Sequence, residues 1–512
     1  MPEPVLGRHP WWRSLALALL SVLTPAPAAA VSAAGANPDA YFRPRPPEET
    51  SAAAMETMPP LLPEAVMRSA RDQFPKVLQA LAKQAGVEGK ALASQGAFDL
   101  VFDAKGFSRT AGFYNGTALS GRATQPLGPF GAEVYSGYKI SNGIFPIYED
   151  VNFTNTGGQA SIGVLFSLLK NRSIDDRRFG IRDAELAVRQ GELEVLLTRV
   201  GVQQQALATY WRWVIAARQL LVYESLLDLA LFREVGLKRQ VEQGARARIF
   251  LTENEQNIMR RRILVANAQR DYDLAANRLS LYLRDADGQP LLAVLGQLPP
   301  EEPPETLKGL AGVAEDGVRA ALASRPELEQ LRVGARRAQR RIALKQNNLQ
   351  PKLDFSVERM RPFGTVAEGG TSRDSVDTIV GLTFEVPLQR RKARGELSAE
   401  QAGLRALEEE TRLLEDQIEL EISNLLIRLN VARDLLGLAA TDATLSDTMR
   451  EAELKRFDSG ASDFFLVNLR EETAFNARVR YLRAALDLHL ARVVYDAATV
   501  DLPRLGLSDL DD

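Results

Sequence analysis

The 512-residue chain contains no cysteine. That excludes disulfides, thiol catalysis, thiolate metal sites and acylation of an N-terminal cysteine. Histidine is nearly absent too, with only His9 and His489. A histidine-rich metal centre or a Ser-His catalytic pair therefore has little to build on. Charge of one sign is also lacking. The net charge is −3 with 25% charged residues, and no basic stripe suggests a nucleic-acid partner. Beyond the N-terminus no stretch offers about 18 uninterrupted apolar residues, so a helical membrane span is not expected. No phosphate-type glycine loop is seen, and the carboxylates lie along helical patterns, where a solvated role outranks a glycosidase pair. The expectation is no enzyme, no cofactor and no metal.

What is present begins with "GRHPWWRSLALALLSVLTPAPAAAVSA". Arg8 and Arg13 flank a short apolar run (15–23), and 28–30 is a run of alanines. This reads as a secretory signal over 1–30, too short to span a bilayer. Residues 31–62, rich in Ala, Pro and Glu, read as a mobile segment. A helix is expected over about 63–86. From about 99 to 169 glycine, aromatics, Thr, Ser and Asn become frequent, which is strand and turn composition. Helical patterning then runs over about 174–284. Pro and Gly break it, and helix resumes near 312–349. Strand-like segments follow over about 351–388, and helix again over about 393–497.

That order is stated twice. "GVLFSLLKNR" (163–172) matches "GLTFEVPLQR" (381–390), "ARQLL" (217–221) matches "ARDLL" (432–436), and "EQGARARIFL" (242–251) matches "DSGASDFFLV" (458–467), all at nearly one offset. We therefore expect an internal repeat, 63–310 and 311–500, followed by a tail at 501–512. Within it, Ile162, Val164 and Phe166 share one strand face, as do Val380, Leu382 and Phe384, and Leu353, Phe355 and Val357. Asp354, Glu358, Thr383 and Glu385 take the opposite face. Such alternation fits a membrane barrel and a one-sided soluble sheet alike. Leu414, Ile418, Ile422, Leu425, Leu429, Ala432 and Leu436 form a coiled-coil-like seam. Gly244 and Gly460 interrupt long helices at corresponding places, where an ordinary interior glycine would cost about 1 kcal/mol against alanine.

The arrangement over roughly 63–500 resembles the TolC family of outer-membrane efflux and secretion channels. "RFDSGASDFFLVNLREE" is similar to that family's hairpin tip, "PLQRRKARGELSAEQAGL" to its strand-to-helix passage, and "RPELEQLRVGARRAQRRIALKQNNLQPKLDF" to its helix entering the second strand pair. The resemblance implies a homotrimer. Each chain would give four strands to one 12-stranded barrel in the outer membrane of a Gram-negative-type bacterium, and its helices to a periplasmic tunnel. The tips, with Gly244, Ala245, Gly460, Ala461, Ser462 and Asp463, would meet a periplasmic adaptor coupled to an inner-membrane transporter. Ser462 or Asp463 would cap the returning helix. The apolar strand residues would face lipid and the four polar ones the lumen.

The chain departs from the family in three ways. Leu466 and Leu469 stand where some members carry gate aspartates, which leaves Asp463 or Glu471 as charge near the tip. There is no N-terminal cysteine to lipidate. The stretch 106–158 is longer than a strand pair needs, and an extended extracellular loop is expected in it. A periplasmic coiled-coil scaffold with a soluble sheet is the alternative reading. The sequence does not specify a cargo.

Overall fold

The computed structural model describes residues 58–145, 154–301, 317–365 and 375–508. The expected signal segment 1–30 and all but the end of 31–62 lie outside the described residues.

Among the described residues eight helices and six strands follow one another. Helices α1 (Pro63–Gln73) and α2 (Pro75–Gln95) each begin at a proline, whose fixed φ suits a first helical position. Four strands follow: β1 (Val101–Arg109), β2 (Gly116–Pro126), β3 (Glu133–Gly143) and β4 (Gln159–Ser167). Then come α3 (Asp176–Glu242) and α4 (Ile249–Leu279), and after them α5 (Gly317–Ser324) and α6 (Pro326–Asn347). Strands β5 (Lys352–Pro362) and β6 (Asp377–Glu385) lead into α7 (Arg391–Asp458) and α8 (Phe464–Ala498).

The sheet is an antiparallel meander in the order β1-β2-β3-β4-β5-β6. The expectation of four strands, two in each half, is therefore corrected. The first half carries four strands and the second two. The stretch 106–158 is not chiefly a long loop, since β2, β3 and the end of β1 occupy much of it. The N-terminal helix, too, is longer than expected and is broken at Phe74 before Pro75, because a residue preceding proline is driven out of the helical region.

The helices form two long hairpins. The arms of the first have 67 and 31 residues, those of the second 68 and 35. At 1.5 Å per residue the long arms reach about 100 Å. The anticipated seam of α7 is buried: Ile418, Ile422, Leu429 and Leu436 are wholly inaccessible, and Leu414 is partly covered. Each such side chain contributes roughly 1.5–3 kcal/mol when fully buried. Leu429 and Leu436 pack with Tyr481, Leu482 and Leu488 of α8, which joins the two arms. A second cluster gathers α1, α3 and α4 around Tyr210, Trp213, Leu220 and Leu279. There the Tyr210 hydroxyl donates to the Leu61 carbonyl (2.9 Å), fixing the start of the described chain. Leu505 and Leu507 are buried against Met67, Val200 and Val493, so the expected tail is docked as far as residue 508.

Candidate functional site at the sheet faces and hairpin tips

Side chains alternate along a strand, and register pairs share a face. One face of the sheet therefore carries Ile162, Val164 and Phe166 of β4, Leu353, Phe355 and Val357 of β5, and Val380, Leu382 and Phe384 of β6. The same face continues through Val134 and Tyr138 of β3, Leu119 of β2 and Phe102 of β1. Much of it is uncovered: Phe102, Leu119, Ile162, Val380, Leu382 and Phe384 are all exposed. Among the described residues no helix packs broadly on the sheet, whose neighbours are the strands themselves and short turns at 96–98 and 129–131.

The opposite face holds Asp354, Glu358, Thr383 and Glu385, together with Arg122, Glu133, Tyr135 and Lys139. Thr383 and Glu385 are exposed, and Glu358 is half-buried. Asp354 is buried at the helix end of the sheet, where it accepts a hydrogen bond from Ser167 (3.0 Å) and pairs with Lys352 (3.3 Å). A polar chain crosses this face. The Arg122 guanidinium lies 4.7 Å from the centre of the Tyr135 ring, and the Tyr135 hydroxyl donates to Glu358 (3.3 Å). Tyr135 reaches β5 by lying over Gly163 of β4. A Cβ at Gly163 would stand 2.4 Å from that ring, so the reach requires glycine there.

The two tips use one local construction. Gly244 has φ +70° and Gly460 φ +76°, the left-handed conformation that a side chain disfavours. At the first tip the amide of Gly244 donates to Val241 (3.0 Å) and that of Ala245 to Gln240 (2.8 Å). At the second, Gly460 donates to Phe457 (3.0 Å) and Ala461 to Arg456 (2.8 Å). Both are Schellman turns, which satisfy the last carbonyls of a helix. No atom lies within 4 Å of a Cβ built at either glycine, so backbone conformation rather than crowding calls for glycine.

Of the two expected capping residues, Asp463 is the cap. Its carboxylate accepts from the Leu466 amide (2.7 Å), whereas Ser462 donates to Glu453 on the outgoing arm. The tips touch each other: Phe250 meets Phe464 edge-on with centroids 6.4 Å apart, and Arg246 lies over both Phe250 and Phe457. Gly244, Ala245, Gly460, Ala461 and Asp463 are exposed, and so are the apolar Ile249, Phe465 and Leu469 beside them.

Glu471 does not put free charge near the tip. It is fully buried and pairs with Arg233 of α3 and with Arg261 of α4 (2.9 Å). Arg233 also donates to Asn468 (2.9 Å), and Arg261 to the Leu226 carbonyl (2.6 Å). Burial pulls the Arg261 guanidinium below its ordinary range, and the Glu471 bond opposes that pull. Nothing in the sequence marks this cluster. Its arginines lie 238 and 210 residues from Glu471, and Arg261 is one of three consecutive arginines. Another joint was equally invisible: His489 of α8 stacks on Trp211 of α3 with centroids 3.5 Å apart. Burial, with the Arg218 charge nearby, pushes the His489 imidazole down to about 3. Among the described residues no group of three or more His, Asp or Glu side chains could hold a metal ion, and no helix is long and apolar enough to cross a membrane.

Neither a protein-family model nor a curated protein matches the sequence. Solved structures do match. A membrane protein from Pseudomonas aeruginosa superposes with a TM-score of 0.59 at 14% identity, over 85% of this chain and 92% of that one. The outer-membrane channel CmeC of Campylobacter jejuni gives 0.57 at 12% identity, over 87% and 89%. The outer-membrane protein VceC of Vibrio cholerae gives 0.56 at 14% identity, over 87% and 96%. The chain thus has the fold of these membrane proteins, the TolC-family fold that its sequence resembles.

Proposed function

We propose that this chain is the outer-membrane channel of a tripartite efflux or secretion system in a Gram-negative-type bacterium. Three copies share one barrel and one periplasmic helical tunnel, and the channel conducts passively while an inner-membrane transporter supplies the energy. The observation that carries this reading is a sheet that, among the described residues, has an uncovered apolar face and two unpaired outer edges and is rooted in two long helical hairpins. The strands have 9 to 11 residues, the length needed to cross a bilayer when tilted, about 9–11. Sheet edges cannot stay open in lipid, so the edges need a second copy. On this reading the apolar face meets lipid, and Asp354, Glu358, Thr383 and Glu385 belong to the lumen side.

The helices support sharing as well. Besides its buried seam, α7 exposes Leu413, Leu420, Ile427, Val431, Leu438 and Leu445. They step mostly in sevens and fours, the spacing of a helix seam awaiting a partner. A neighbouring copy would cover that stripe. The tips present small residues around each glycine, which allow close approach of an adaptor's backbone. The matched blocks and the identical tip turns support an ancestral duplication of strands plus hairpin.

The test is the mass of the purified protein in detergent, with the micelle subtracted, after separation of inner and outer membranes. A trimer found in the outer membrane is expected. A monomer that stays soluble without detergent would overturn the channel reading in favour of a periplasmic scaffold.

A further inference from the structure

The first half of the chain carries a β-hairpin, β1–β2, beyond the two strands that precede the hairpin in the second half. Resting on the shared-barrel reading above, we propose that this hairpin is part of the barrel wall. The β1 edge of one copy would pair antiparallel with the β6 edge of the next, and three copies of six strands would close eighteen rather than twelve.

Four observations carry this. First, β1–β2 is fully built into the sheet. All nine residues of β1 are in register with β2, and all eleven of β2 with β3. Second, the alternation continues in phase. The charged residues Asp103, Lys105, Arg109 and Arg122 all lie on the polar face. The apolar face of the hairpin bears Phe102, Ala104, Leu119 and Ala123, with no charge among its members. A hairpin folded into the lumen or swung into solvent would leave Phe102, 73% exposed, and Leu119, 56% exposed, in water. In the wall they extend the apolar band of the other four strands. In β1, Val101 and Phe107 are apolar residues on the polar face, and Phe107 packs edge-on against Phe145 beyond the end of β3.

Third, side chains hold the hairpin in place. Gln125 of β2 donates to the carbonyl of Phe98, just before β1 (2.6 Å), and on the polar face Arg122 joins the Tyr135–Glu358 chain that reaches β3 and β5. Fourth, parity is kept. A meander with an even number of strands has end strands that run in opposite directions, so successive copies can close by antiparallel pairing. A hairpin preserves that parity where a single added strand would not. β1 and β6 also match in length at nine residues each. Barrel diameter grows roughly in proportion to strand number, so the mouth would be about half again as wide as with twelve.

The native absence of cysteine makes the test direct, because introduced thiols are the only ones present. Lys105→Cys in β1 is combined in turn with Ile379→Cys, Thr383→Cys and Glu385→Cys in β6, all on the polar face. Lys139→Cys in β3 replaces Lys105→Cys in a matched set. Oxidation in outer membranes is expected to convert most of the chain to covalent dimers and trimers with at least one Lys105→Cys pair, and with no Lys139→Cys pair. A trimer by mass that crosslinks through Lys139→Cys, or through none of the Lys105→Cys pairs, would overturn the eighteen-strand wall and leave the trimeric channel standing. A monomer in detergent would overturn both.

Discussion

The two halves of the chain repeat one plan but diverge in how they carry it out. Their hairpins agree closely, with long arms of 67 and 68 residues and the same Schellman turn around Gly244 and Gly460. Their strands disagree, four against two. The returning helices also begin differently. Asp463 caps α8, whereas Arg248, itself helical in conformation, gives α4 no side-chain cap. The contrast shows where such a fold tolerates change. Each long arm packs against its own returning helix, and α3 packs against α8 as well. An antiparallel sheet, in contrast, accepts an extra hairpin at its edge without disturbing the strands already paired.

The largest expected effect comes from the joint that holds the halves together. Glu471→Ala leaves Arg233 and Arg261 without their carboxylate in a buried site, and breaking one side of such a cluster costs about 3–5 kcal/mol. Unfolding of the detergent-solubilised protein should show it. A loss below about 1 kcal/mol would mean that water reaches both arginines.

The second joint responds to pH. His489 titrates near 6.5 when unfolded and at about 3 when folded, so the folded state favours the neutral ring. Its contribution is complete above pH 6.5 and is lost as pH falls from there toward 3, by about 1.4 kcal/mol per unit. Asp496, raised chiefly by burial, works in the opposite direction. The His489 part is therefore read as a difference: His489→Phe, which keeps a ring against Trp211, should flatten the acid slope relative to the parent. Identical slopes would show that the imidazole is not buried in solution.

The tips should respond alike. Gly244→Val and Gly460→Val both force a side chain into the left-handed region, at roughly 1–2 kcal/mol each. Both sites are open, so backbone strain alone should set the effect. Unequal losses would show that one tip rearranges. The smallest effect separates them: Asp463→Ala should cost about 1 kcal/mol through the lost cap, while Arg248→Ala should be nearly neutral. Melting curves of the two variants side by side would decide, and equal shifts would argue that Asp463 is not a cap in solution.

Much of this was legible in the residues. The α7 seam was readable because each of its apolar side chains faces α8 or a neighbouring helix at helical spacing. The tips could be found because a left-handed turn demands glycine at matching places in both halves. The faces of β4, β5 and β6 followed from a period of two. The β1–β2 hairpin escaped because Ala104, Gly106, Gly121 and Ala123 make its apolar face too small to alternate visibly against serine and threonine.

The sequence by itself determined the periodic parts: which residues are helical, where each hairpin turns, and which strand residues share a face. These depend on local geometry and neighbours a few positions away. Only the tertiary structure decided that six strands pair in one meander, that Tyr135 crosses Gly163 to Glu358, and that Glu471 sits between Arg233 and Arg261. Those pairings join residues up to 238 apart. Their free energy depends on burial and on geometry that no local pattern encodes.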